Sequence, residues 1–141
     1  MSNPRLALDA PAPEHGPGEY RPGACNIGPA EIARRRRAGI LAVGAAVALA
    51  AVLLAVDAPS AARWLVALPL AGGAVGLLQA RLRFCAWYGM AGVRNLGALG
   101  QAERVEGPAA RRADRAKAWA IAVAAGAIGL AGALALVLLP L

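Results

Sequence analysis

Three stretches of this chain carry no charged side chain: Ala38–Val56, Trp64–Ala80 and Ala118–Leu139. Basic residues crowd the outer ends of the first two and the start of the third. At 1.5 Å per helical residue, the first stretch covers roughly 28 Å and the third roughly 33 Å, against a hydrocarbon core of about 30 Å. Arginine stems lying along apolar surface extend the reach of the first. The third has no polar face, which argues against a helix lying flat on a membrane. The pattern predicts an all-α membrane protein with three transmembrane helices, over about 38–56, 64–80 and 118–139.

Local signals set the ends of these helices. Gly28-Pro29 starts the first, because proline at the first helical position loses an N–H that has no intrahelical partner anyway. Glu31 falls in the first turn, where a carboxylate meets the positive end of the helix dipole. The helix is expected to run from Pro29 to Val56, its first turns among the headgroups. Asp57-Ala58-Pro59-Ser60 is turn chemistry, short enough to make the first two spans antiparallel neighbours. Arg63 and Trp64 mark the far interface, and Pro69 is a point of expected bending. Gly72 and Gly76 form a G-x-x-x-G pair suited to close helix approach in lipid. Gly107-Pro108 opens the third helix. On it Ala125, Gly129 and Ala133 share one small-residue face, and Ala118, Ala122 and Gly126 form a second row.

Composition sharpens this picture. The chain of 141 residues is 59% hydrophobic and only 16% charged, well short of the roughly 25% charged residues of a soluble domain. Residues 1–24 hold five prolines and three glycines, and read as a disordered tail containing His15, to which no role is assigned. This tail is not a signal peptide, since the first apolar run begins too late and is too long. Residues 25–99 then form a helical hairpin with its loop. Gly89–Leu99 reads as a short surface helix, residues 100–117 as a basic loop and helix start, and 118–141 as the third span.

The net charge of +7 is unevenly placed. Six arginines precede Ala38, eight cations lie between Arg81 and Lys117, and only Arg63 stands on the other side. By the positive-inside rule the N-terminus is cytoplasmic and the C-terminus periplasmic or extracellular. The alanine, glycine and arginine bias suggests a bacterial source with a GC-rich genome. Arg34, Arg35, Arg36, Arg37, Arg81, Arg83, Arg111, Arg112 and Arg115 are the candidate contacts to anionic lipid, each surface cation being worth about 1 kcal/mol there. No base-stacking module accompanies them, so nucleic acid is not an expected partner.

Asn26-Ile27-Gly28, Glu31, the arginine cluster, Phe84-Cys85-x-x-Tyr88 and Gly92-Val93-x-Asn95 give residues 25–99 a family look. In this order they resemble the YgaP-like inner-membrane transmembrane domain family. Ala86 stands where that family often has proline, and Leu96-Gly97 leaves no second cysteine after Asn95. Some family members carry a rhodanese domain, for which the tail here is too short. The resemblance implies a membrane hairpin, often dimeric, and does not imply sulfurtransferase activity.

The chemistry available is sparse. No ionisable side chain lies inside a span, and Gln79 sits at an edge, which disfavours a transporter, pump or channel. No Ser/His/Asp set, paired histidines or metal-ligand spacing occurs, so no enzyme, cofactor or metal is expected. Cys25 and Cys85 both fall near the membrane surface beside arginines, which favour reactive thiols; packed, inert thiols are the other reading. The expected function is a small non-enzymatic structural or accessory subunit. It would pack with itself or with other membrane proteins. The alternative is a membrane-attached thiol or sulfur carrier using Cys25 and Cys85.

Overall fold

The computed structural model describes residues 19–140. The helices are α1 (Pro29–Ala55), α2 (Ser60–Arg63), α3 (Ala67–Leu82), α4 (Ala86–Ala91) and α5 (Pro108–Val137), with strands β1 (Val93–Arg94) and β2 (Glu103–Arg104). A 3-10 turn at Trp64–Val66 joins α2 to α3, so Ser60–Leu82 runs as one rod. That rod, α1 and α5 are each long and apolar enough to cross a membrane. The irregular turn lies just ahead of Pro69, which has no N–H to give the Leu65 carbonyl and whose ring crowds it.

The helix ends follow their sequence signals. Gly28 holds extended backbone and Pro29 takes the first helical position of α1. At the other end Asp57 adopts φ +50°, and the Ala58 N–H returns to the Leu53 carbonyl at 2.8 Å. Arg83 closes α3 in the same way, at φ +54°, with Phe84 N–H on the Gln79 carbonyl at 3.0 Å. Both are left-handed closures of the kind glycine usually supplies.

The α2–α3 rod stands in the middle, with α1 and α5 packed on it and scarcely touching each other. Glycines set both seams. A Cβ on Gly73 would stand 2.6 Å from Val43 Cγ2, and one on Gly39 would stand 2.8 Å from the Leu77 nitrogen. On the other side Gly129 approaches the Ala67 carbonyl, where a Cβ would stand at 2.7 Å. Ala125 and Ala133, the neighbours of Gly129 on that face, are buried. The second small-residue row on α5, suited to packing against the hairpin or a second copy, has Ala118 buried, Ala122 exposed and Gly126 meeting nothing within the chain. Where Arg63 ends α2, a small core of Ala46, Val66 and Leu136 joins the three rods. Arg63 itself is buried. It donates to the Ala58 carbonyl at 3.2 Å and to the Leu139 carbonyl at 3.4 Å, tying the turn to the end of α5.

Three expectations need correction. Gly72 has nothing within 4 Å where a Cβ would stand; within the chain, the pair that meets α1 is Gly73 and Gly76. Gly76 meets α1 and Gly72 alone stands off the seam, because in an apolar helix no polar stripe marks which side packs. Residues 19–24, assigned to the disordered tail, are part of the fold: Arg21 and Cys25 pair across a tight turn. The rest of that tail, with His15, lies outside the described residues. Finally, the surface helix expected over Gly89–Leu99 starts at Ala86 and stops at Ala91, and Val93–Arg94 pairs antiparallel with Glu103–Arg104. Gly92 at φ +71° makes the break.

Candidate functional site

Among the described residues, the buried polar side chains other than Arg63 converge at the basic end of the rods. Three strands of backbone meet there. Asn26 N–H donates to the Arg83 carbonyl at 3.2 Å, Asn95 N–H to the Asn26 carbonyl at 2.9 Å, and Gly28 N–H to the Asn95 carbonyl at 2.8 Å. Gly28 is required at this crossing, since a Cβ would stand 2.5 Å from the Leu96 carbonyl oxygen. The Asn26 side chain then binds both backbone groups of Cys85, donating to its carbonyl at 3.0 Å and accepting from its N–H at 2.6 Å. In this way the segment before α1 is fastened to the segment after α3.

Glu31 stands beneath this crossing, fully buried in the first turn of α1. One turn later, Arg35 pairs with it, the i,i+4 spacing that brings two helical side chains together. Arg34 reaches the same carboxylate at 3.3 Å from a half-exposed position. The second carboxylate oxygen accepts from the Tyr88 hydroxyl at 3.2 Å and from Asn95 Nδ2 at 3.3 Å. Arg35 is equally committed. Its Nε donates to Gln79 Oε1 at 3.1 Å and its Nη2 to Cys85 Sγ at 2.8 Å, and its guanidinium lies 5.3 Å from the centre of the Tyr88 ring. Cys85 also caps α4, accepting from the Tyr88 N–H at 3.5 Å. A buried ion pair is tolerable only when its remaining lone pairs and protons are satisfied. Here, among the described residues, no buried side-chain nitrogen or oxygen lacks a partner.

A second buried carboxylate holds the N-terminal segment. Asp114, on α5, accepts from the Tyr20 hydroxyl at 2.9 Å and from the Gly23 N–H at 2.7 Å. The Tyr20 ring lies 4.9 Å beneath the Arg94 guanidinium. Burial, then the hydrogen bond to Asp114 and its negative charge, raise the Tyr20 pKa well above the usual phenol range, while the Arg94 charge opposes them.

Arg35 and Cys85 belong to the network, while Cys25 is buried apart from it, its thiol directed at the Ile27 carbonyl 3.7 Å away. Both thiols are free. Arg111 is structural, donating to the Val105 carbonyl at 3.1 Å behind the β-pair. Arg36, Arg81, Arg83, Arg37, Arg112 and Arg115 are all exposed, and of these Arg36, Arg81 and Arg83 line a cleft between α1 and α3. Gln79 and Asp114 carried no role in the sequence reading. An amide near the end of an apolar run and an acid inside a basic cluster were the signals available for them. Among the described residues, no group of three His, Cys, Asp or Glu side chains could hold a metal.

Neither a protein-family model, nor a curated protein, nor a solved structure matches the chain. The functional reading therefore rests on the geometry.

Proposed function

We propose that this chain is a small multi-pass protein of a bacterial inner membrane, non-enzymatic, serving as a structural or accessory subunit of a homo-oligomer or larger membrane complex. Its N-terminus is cytoplasmic and its C-terminus periplasmic or extracellular. One observation carries the reading: apart from Arg63, the buried polar side chains among the described residues are consumed in holding the basic end together, while the rods turn open small-residue positions outward. Gly44, Gly72 and Gly126 meet nothing within 4 Å where a Cβ would stand. Small residues of this kind let helix backbones approach in lipid. The Trp87 and Trp119 side chains are exposed at the basic end and Trp64 at the far end, as aromatic belts require. From Trp119 to Leu136, which packs beside Val66, is about 26 Å along α5.

Kinship with the YgaP-like domain family is part of this proposal. In its favour, Asn26, Glu31, Cys85, Tyr88 and Asn95, all in the motifs quoted for it, belong to one hydrogen-bonded network. Mass measurement in mild detergent and in nanodiscs tests the assembly. Association that Gly72→Leu shifts supports it, and a strict monomer with no co-purifying partner overturns it.

A second reading, the thiol or sulfur carrier, now favours Cys85 over Cys25, because only Cys85 has a guanidinium on its sulfur and a cationic neighbour promotes nucleophilic sulfur. Cys85 also lines a cleft of about 330 Å³ beside Gly72 and Trp87. Alkylation rates decide it: fast modification of Cys85, lost in Arg35→Gln, supports a carrier, and two inert thiols remove it.

A further inference from the structure

We infer that the cleft between the start of α1 and the end of α3 is a binding site for a phosphate group, and that an anionic phospholipid supplies it. The cleft has a volume of about 560 Å³. Arg36 reaches it from α1, and Arg81 and Arg83 from the end of α3, while Ile27, Ile32 and Ala80 form an apolar wall. The inference rests on the membrane reading above, which puts this end of the rods at headgroup depth.

Their place in one cleft separates these three arginines from Arg37, Arg112 and Arg115, whose side chains are equally without an ion pair or hydrogen bond among the described residues. Glu31, next in sequence to Ile32 of the cleft wall, is already committed to Arg34 and Arg35. The side chains of Arg36, Arg81 and Arg83 form no ion pair or hydrogen bond among the described residues. One concave space is thus lined by three arginines, Arg36 on α1, Arg81 on α3 and Arg83 at the residue that closes α3. Guanidinium groups match phosphate oxygens in planar, paired hydrogen bonds. The apolar wall suits the first methylenes of an acyl chain, which a free phosphate lacks. Arg37, Arg112 and Arg115 carry the same charge on open surface and line none of the clefts described above.

The backbone explains why the site holds its shape. Gly28 and Pro29, at one edge, are fixed by the crossing with Asn95 and Leu96. Arg83 stands at the left-handed residue that closes α3, and its carbonyl is held by Asn26.

The test uses the full chain in detergent with native mass spectrometry. Phosphatidylglycerol, phosphatidylcholine of the same acyl composition, and inorganic phosphate are added separately. Two triple variants are compared, R36Q/R81Q/R83Q in the cleft and R37Q/R112Q/R115Q outside it, each removing the same charge. The wild type is expected to retain phosphatidylglycerol over phosphatidylcholine. The cleft variant should lose that preference by roughly fivefold per arginine, the scale of one surface cation's attraction to an anionic leaflet, and the outside variant should keep it. Inorganic phosphate binding as tightly as the lipid, and only with the cleft intact, supports a phosphate site and assigns it to a soluble source. Equal losses in the two variants, or no preference in the wild type, overturn the inference. Labelling of Ser60→Cys and Ala102→Cys in intact cells reads membrane topology separately, so failure of the cleft and failure of the membrane reading are distinct results.

Discussion

Gly76 lies against Gly39 so closely that a Cβ on Gly76 would stand 2.7 Å from the Gly39 Cα and 2.9 Å from the Arg35 carbonyl oxygen. Both obstacles are backbone and cannot rotate aside. Gly76→Leu should therefore separate α1 from α3 and destabilise the hairpin by about 3 kcal/mol, the upper range for overpacking. Gly72→Leu should leave the isolated chain's stability within about 0.5 kcal/mol, since Gly72 meets nothing. Denaturation in mixed micelles measures both, and equal effects would contradict the observed seam.

The Glu31–Arg35 pair sits where removing one partner strands the other. Glu31→Gln should cost about 3–5 kcal/mol, as breaking buried pairs does. Glu31→Gln with Arg35→Gln should cost less than the single change, because no buried charge remains. A double-mutant cycle in the same micelles gives the coupling. Additive losses would mean that the two groups do not share the network described.

Tyr20 supplies a pH signature. Its phenol is raised in the folded chain, first by burial and then by Asp114. A group with a raised folded pKa contributes stability that is fully present below its unfolded value, about 10 for tyrosine, and is lost as pH rises through the higher folded value. In the difference between wild type and Tyr20→Phe, the phenolate absorbance step should fall above pH ~10 in the native state and near pH ~10 after unfolding. A native step at the unfolded position would dissociate Tyr20 from Asp114.

The proposed topology places Ser60 and the Gly100–Gly107 segment on opposite faces of the membrane. A membrane-impermeant maleimide should modify Ser60→Cys in intact cells and Ala102→Cys only after permeabilisation. The buried native thiols provide a low background. Modification of both from the same side would refute the arrangement.

The rods were legible before folding was considered because span length is a local property: an uninterrupted apolar run either reaches across lipid or does not. Their starts were equally local, since Gly28-Pro29 and Gly107-Pro108 act within one turn. The face of α3 that packs was not, because Gly72 and Gly73 are chemically identical and only the approach of α1 distinguishes them.

The same division separates the halves of the site. Sequence alone determined that cations gather at one end of the rods, that Glu31 and Arg35 are a turn apart, and that Cys85 borders the arginine-rich end. Tertiary structure alone decided that Arg35 would serve Glu31, Gln79 and Cys85 at once. It also decided that Asp114 would capture Tyr20 and Gly23 from about ninety residues away. Such contacts have no periodicity to read. A buried polar group must find some partner, and which one it finds depends on how the helices meet.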